Sequence, residues 1–296
     1  LPSNSEESFV CCLSSINALH YEDWKDTDAV ETLTFFLDAV MEEFVQKSAS
    51  TDHLERARRF ARRHRAIGIG VLGWHSYLQS QMIPFDSFEA STINAELFST
   101  IKERSYSASE ELAEVLGEPP VMEGYGRRNA TTMAVAPTKS SSFILGQVSQ
   151  SVQPIQSNYV VQDRAKMKIT NKNDHLKELL AEYGKDDART WGSIADHDGS
   201  VQHLDFLSDH EKDVFRTFGE IPQIGIIKQA QQRQQFIDQS QSLNLAINTA
   251  KISTKDLNKL HIEAWKGGVK TLYYIHNVNA AQEFARDIME CRSCGA

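Results

Sequence analysis

Arg65-Ala66-Ile67-Gly68-Ile69-Gly70-Val71-Leu72-Gly73-Trp74-His75 is the stretch on which the fold turns. Its glycines spell G-x-G-x-x-G, the spacing with which a strand-to-helix turn cradles the pyrophosphate of a dinucleotide. That turn needs a strand ahead of the first glycine, and an acidic residue on a second strand about 20 residues further on. Here only Ala66-Ile67 precede the glycines, the other apolar residues lie inside the motif, and no acidic residue with a strand leading to it follows. The stretch therefore reads as a strand threaded with glycine for close packing against a helix. A Rossmann-type dehydrogenase built on Gly68, Gly70 and Gly73 is the competing reading, and it requires saturable NAD(P) binding.

The neighbouring sequence is helical. Between Asp23 and Lys47 the residues Val30, Leu33, Phe36, Leu37, Val40, Met41 and Phe44 recur at three and four, one apolar stripe of a helix. His53 to Arg65 carries Arg56, Arg58, Arg59, Arg62, Arg63 and Arg65. That arginine face suits phosphate or nucleic acid, but a solvated or subunit-facing helix side is favoured in a chain of net charge −9. Helices follow over 74–82 and 87–117, the latter stopped by Gly117 and Pro119-Pro120.

The thiols sit at the two ends of the sequence. Ser8-Phe9-Val10-Cys11-Cys12-Leu13-Ser14-Ser15-Ile16-Asn17 reads as a short buried strand (Phe9, Val10, Leu13) running into a polar turn, and Cys291 and Cys294 complete the four cysteines. Packing cysteines would be scattered through the core. An opening strand with a terminal Cys-x-x-Cys suggests redox exchange between a fixed site and a tail. From Tyr274 to Cys291 is 17 residues, about 23 Å of root-mean-square reach if flexible. The same four thiols, Cys11, Cys12, Cys291 and Cys294, also permit a structural zinc site in a helical interaction protein.

Thr131-Thr132-Met133-Ala134-Val135 is a β-branched strand that opens into Ala136-Pro137-Thr138-Lys139-Ser140-Ser141-Ser142. Backbone N–H groups, hydroxyls and the Lys139 charge there suit an anion, and a plain Ser/Thr N-cap cluster suits the residues equally well. Tyr159 to Thr170 reads as a strand pair or an arm, Asp174 to Tyr183 as a helix, and Val214 to Gln235 as helix with breaks. A helix over Thr254 to Lys266, capped by Ser253 or Thr254 and ended by Gly267-Gly268, leads to a last strand, Val269 to Ile275. On a regular strand the adjacent Tyr273 and Tyr274 face opposite sides, one buried and one exposed. With 296 residues the chain is long enough for one large α/β domain or two small ones, and 41% hydrophobic and 24% charged residues are ordinary for a soluble globular protein. No membrane span or signal peptide is read, and the expected compartment is the cytoplasm.

Taken together the segments resemble the C-terminal part of the large subunit of aerobic, class I, ribonucleoside-diphosphate reductases. Val10-Cys11-Cys12-Leu13-Ser14-Ser15-Ile16-Asn17 looks like the strand carrying one half of the family's redox cysteine pair, with Cys11 that residue and Cys12 an extra. Arg65 to Gly73 is similar to its glycine-rich structural strand, and Pro137-Thr138-Lys139-Ser140-Ser141 to its substrate-diphosphate loop. Phe236-Ile237-Asp238-Gln239-Ser240-Gln241-Ser242-Leu243-Asn244 and Ala264 to Tyr274 are further family segments. Tyr273 and Tyr274 look like the tandem tyrosines of the radical path, Cys291 and Cys294 like the shuttle pair of the tail.

The resemblance implies the second half of a ten-stranded α/β barrel, five parallel strands with connecting helices, over 1–275, and a mobile tail over 276–296. It implies reduction of ribonucleoside diphosphates with a radical from a metal-containing small subunit and with thioredoxin or glutaredoxin as reductant. No metal or other cofactor is expected on this chain. The family's thiyl cysteine and the disulfide partner of Cys11 precede the segments matched here. The expectation is a divided large subunit, inactive until a chain bearing the N-terminal half completes the site.

Overall fold

Strand β1 (Cys12–Asn17) runs parallel to β2 (Ile67–Leu72), Cys12 level with Ile67 and Asn17 with Leu72. This pair organises a computed structural model that describes residues 3–164, 167–248 and 252–277. Two further segments extend the ladder in parallel, through bridges from Ile69 to Met133 and from Val135 to Gln241. Parallel neighbours require long crossovers, and these are helical. Between β1 and β2 lie α1 (Tyr21–Trp24), α2 (Ala29–Lys47) and α3 (Glu55–His64). After β2 come α4 (Trp74–Ser80), α5 (Phe88–Leu116) and α6 (Lys139–Ile144). The dinucleotide reading fails on this geometry: Gly68 and Gly70 lie inside β2, not in a turn.

Close approach explains those glycines. A Cβ on Gly70 would lie 2.5 Å from the Ala134 carbonyl oxygen, and one on Gly68 would lie 2.8 Å from Ala134 Cβ. The ladder can bring its third segment against β2 only where β2 has no side chain. On the other side of the ladder α2 buries Val30, Leu37, Met41 and Val45, and Cys12 packs against the cluster of Met41, Val45 and Ala61. Every residue of β2 is buried.

These elements form one compact unit, Leu1–Pro154 with Gln232–Gln241; the other consists of Ile155–Gln231 and Ser242–Ala296. The second unit opens with the antiparallel hairpin of β3 (Tyr159–Arg164) and β4 (Met167–Lys172). Then follow α7 (Asp174–Glu182), α8 (Ala188–Asp196), α9 (Asp209–Val214) and α10 (Gln223–Gln234), whose last turn belongs to the first unit. Next are β5 (Leu245–Ile247), α11 (Thr254–Lys266) and β6 (Ile275–Asn277), with β5 and β6 parallel. Leu176, Leu180, Trp191, Ile194, Phe215 and Ile226 fill its core. The Asn158 amide ties the loops together by donating to the carbonyls of Gly199 and Phe215, both at 2.8 Å.

Several expectations are corrected here. The opening strand begins at Cys12, and Ser14, Ser15 and Asn17 lie in it instead of forming a turn. Phe9 and Leu13 are 56% and 52% exposed, because pairing with β2, not the apolar run, sets where β1 starts and which face looks outward. Thr131–Val135 joins the ladder by single bridges, not as a full strand. The last strand covers 275–277 in place of 269–275. Among the described residues no helix is long and apolar enough to cross a membrane.

Candidate functional site

Cys11 stands one residue before β1, where the first residues of β1, β2 and the 131–135 segment converge. Its Sγ accepts a hydrogen bond from Gln239 Nε2 at 3.2 Å. The same nitrogen lies 3.0 Å from the Ile67 carbonyl and 3.1 Å from Thr131 Oγ1. The missing side chain of Gly68 makes this possible, since a Cβ there would come within 3.2 Å of Gln239 Nε2. Burial pushes the Cys11 thiol up to about 11, partly opposed by the Gln239 hydrogen bond. At neutral pH Cys11 is therefore a protonated thiol, a hydrogen donor before it is a nucleophile. Cys12 serves the helical side; burial, and then the Asp38 charge, raise its pKa. The two thiols thus have different neighbours, and among the described residues no group of three or more His, Cys, Asp or Glu could hold a metal.

Two buried polar networks fix this end of the ladder. Asp38 receives Arg65 Nε at 2.8 Å and Nη2 at 2.9 Å, Arg128 Nε at 3.0 Å and the Asn129 amide at 3.0 Å. Its carboxyl is buried, which by itself raises the pKa, but the two guanidiniums hold it below the usual carboxylate range. Asp238, the residue before Gln239, accepts from the Thr132 and Met133 backbone N–H groups, from Tyr106 Oη at 2.6 Å, and from Lys102. Burial opposes its ionisation, yet Lys102 and Tyr106 keep it ionised. Asp238 thereby fastens the 239–241 segment to the 131–135 segment, and Gln239 inherits a fixed origin.

The arginine face of α3 is mostly absorbed within the protein. Arg59 pairs with Glu6 at 3.3 Å, Arg63 with Glu7 at 2.7 Å, and Arg65 with Asp38 and Glu42. Arg58 Nε donates to the Val45 carbonyl. These intrachain partners support a structural role for the arginines over a phosphate- or nucleic-acid-binding face.

Pro137 to Ser141 lies at the other end of the same ladder. Thr138 adopts a left-handed conformation with φ 51° and leads into α6; its Oγ1 accepts the Ser151 N–H at 2.7 Å, so its side chain does not cap the helix. Lys139, Ser140 and Ser141 are exposed. Nearby, Asn17 at the end of β1 donates to the Leu145 carbonyl. Gly73 (φ 77°) closes β2 against Asn17, and a Cβ there would lie 2.4 Å from Asn17 Oδ1. The ladder thus joins Cys11 and the loop but does not put them in contact. Thr131, level with Cys12 through Ile67, precedes Thr138 by seven residues, at most ~24 Å of extended chain.

Tyr273 and Tyr274 lie in the second unit beside Leu243–Leu245. Tyr273 N–H donates to the Leu243 carbonyl at 2.8 Å and Tyr274 N–H to Asn244 Oδ1 at 3.1 Å. They do not alternate between faces as expected: they are 48% and 51% exposed, with ring centroids 4.1 Å apart. Both precede β6, so no regular pleat separates the rings. A hydrogen bond with Tyr274 raises the Tyr273 phenol. Cys291 and Cys294 lie outside the described residues.

Gln239, Asp238 and Asp38 were not singled out as site residues from the sequence. The one available signal was the Asp238-Gln239 pair at the centre of a polar run between a helix and a strand.

The ribonucleotide reductase barrel-domain model matches residues 1–124 and 121–275. The chain belongs to that family. It is 41% identical over 286 residues to the ribonucleoside-diphosphate reductase large subunit of Invertebrate iridescent virus 6, covering 95% of this chain and 30% of that protein. The putative large subunit of Frog virus 3 (isolate Goorha) is 40% identical, over 99% of this chain and 53% of the relative. The structure of an Actinobacillus ureae class Id ribonucleotide reductase alpha subunit superposes with a TM-score of 0.90 at 53% identity, over 95% of this chain and 52% of that one. The chain therefore spans about a third to a half of the length of these reductase relatives. Membership in the reductase family fits the glycine strand, and among the described residues, which do not include Cys291 and Cys294, nothing favours zinc.

Proposed function

We propose that this chain forms part of the catalytic chamber of a ribonucleoside-diphosphate reductase, acting together with the remaining length of the large subunit. Its ladder would be the second half of a ten-stranded α/β barrel, five parallel strands, with 276–296 as a mobile tail. The parallel order from β1 through β2 to the 133–135 and 239–241 segments supports that reading, as does the parallel β5–β6 pair. The observation that carries the proposal is the half-buried Cys11 thiol, which accepts the Gln239 amide hydrogen bond where the ladder begins.

The net reaction replaces the ribose 2′-hydroxyl by hydrogen. Two thiols give two electrons and two protons, the hydroxyl leaves as water, and the sulfurs close to a disulfide. Cys11 suits the donor role because burial keeps it protonated. Its disulfide partner and the radical-bearing cysteine would come from the rest of the large subunit. Pro137, Thr138, Lys139, Ser140 and Ser141 would hold the diphosphate through N–H groups, hydroxyls and the lysine charge, leaving the nucleoside to extend along the ladder toward Cys11.

Tyr273 and Tyr274 would carry the radical inward from a small subunit bearing a metal-borne radical. Each phenol would give up an electron and a proton toward that oxidant and recover them from the next group nearer the radical-bearing cysteine. With ring centroids 4.1 Å apart, planes tilted by 49° and both rings half exposed, they suit a transfer in which a phenol loses an electron and a proton together. Cys291 and Cys294 would reduce the Cys11 disulfide by exchange and be recharged by thioredoxin or glutaredoxin, in the reducing cytoplasm. The test is reconstitution with the rest of the large subunit, a small subunit and a dithiol. Deoxyribonucleoside diphosphate formation that Tyr274→Phe abolishes is expected; undiminished turnover in Tyr274→Phe would remove the tyrosine path.

A further inference from the structure

Gln239 Nε2 carries two hydrogens and faces three acceptors: the Ile67 carbonyl at 3.0 Å, Thr131 Oγ1 at 3.1 Å and Cys11 Sγ at 3.2 Å. Thr131 Oγ1 itself donates to the Ile67 carbonyl at 3.1 Å, so that carbonyl keeps a donor if the amide turns away. The amide cannot drift. Its own backbone N–H donates to the Met133 carbonyl at 3.1 Å, and Gln234 Nε2 donates to its carbonyl at 3.2 Å. Asp238 pins the adjoining backbone to Thr132 and Met133, and the absent Gly68 side chain leaves the space the amide occupies. A donor thus sits beside the sulfur with one hydrogen more loosely committed than the other.

We infer that Gln239 is a positioning residue that turns a hydrogen to Cys11 Sγ whenever that sulfur carries negative charge. This rests on the reading of Cys11 as the reductase's exchangeable thiol. When a dithiol reduces a disulfide of Cys11, its thiolate attacks the partner sulfur. A new S–S bond forms there, the old one breaks, and the electron pair leaves on Cys11 Sγ. The second thiol of the reductant then displaces the partner sulfur, so the dithiol ends oxidised by two electrons and both protein sulfurs end reduced. Leaving is faster the more stable the departing thiolate, and a charged sulfur is a stronger acceptor than a carbonyl or hydroxyl oxygen. The resting thiol stays protonated for hydrogen donation, while the leaving thiolate meets a donor already in place. Among the described residues the titratable neighbour acting on Cys11 is Cys12 on β1; Asp38 and Arg65 act on Cys12.

The test is the rate of Cys11 alkylation by iodoacetamide in the full chain, read by mass spectrometry from neutral to alkaline pH in a Cys12→Ser background. Gln239→Leu removes the donor, and labelling at neutral pH should slow about tenfold, with the profile displaced to higher pH. Gln239→Glu, the same shape without the donor, should slow it at least as much. Thr131→Val removes a competing acceptor and should speed labelling. Mere loosening of the pocket would expose the sulfur and speed labelling in every variant, so the slowing is diagnostic. Labelling of Gln239→Leu and Gln239→Glu at or above the parent rate overturns the role. Should both fail to fold by circular dichroism, Thr131→Val decides. Acceleration at neutral pH with the profile displaced to lower pH and an unchanged alkaline plateau supports the role, and an unchanged rate, or acceleration equal at every pH, overturns it. Full turnover by Cys11→Ser would sink the functional reading and leave the labelling result standing.

Discussion

At the scale of single residues, buried charges are compensated where they hold the ladder. Asp38 is shared by Arg65 and Arg128, so Asp38→Ala leaves both guanidiniums without their common carboxylate. Removing one partner of a buried pair costs about 3–5 kcal/mol, which urea denaturation should read as a lower midpoint at unchanged slope. The pH dependence follows in sign. Asp38 and Asp238 have depressed carboxyl pKa values in the folded protein. Their stabilisation is complete above the unfolded value of about 3.9 and is lost as pH falls below it toward the folded values. Acid titration of the folded fraction should therefore show the protein weakening below about pH 4, with Asp38→Asn flattening that limb. None of this pairing was legible in the sequence. Arg65, Asp38 and Asp238 are ordinary polar residues until the fold brings positions 27 and 106 residues apart together.

At the scale of elements, local signals served the helices and failed at the strand ends. The helix expected over Thr254–Lys266 has those bounds, and Ser253 Oγ accepts the Asp256 N–H at 3.2 Å. Ser253→Ala should cost about 1 kcal/mol, seen as a lower thermal midpoint, because capping is settled within four residues. A strand boundary, by contrast, is set by its partner. Phe9 and Val10 made the apolar run that suggested an earlier start, yet β1 begins where Ile67 is available to pair with Cys12. Glycine spacing identified β2 as a strand, but the reason for Gly70 lay on a segment more than sixty residues later. Gly70→Ala puts a Cβ against the Ala134 carbonyl. It should cost about 1–3 kcal/mol and expose Cys11 to faster alkylation as the ladder opens.

At the scale of the whole molecule, the family was legible from ordered segments spread along the chain. The two-unit division was not, since it depends on which contacts close over Ile155–Gln231. The tandem tyrosines illustrate the difference: their place in the chain was readable, but their joint exposure was not, because it requires the pleat to start after them. The account's central claim is that Cys11 gives up its hydrogen during ribonucleotide reduction and ends in a disulfide. The direct measurement is the redox state of Cys11, by differential thiol labelling and mass spectrometry, in the assembled reductase allowed to turn over without external reductant. The account predicts loss of free Cys11 in step with deoxyribonucleotide formed, restored by a dithiol. Product accumulating while Cys11 stays fully reduced would contradict it.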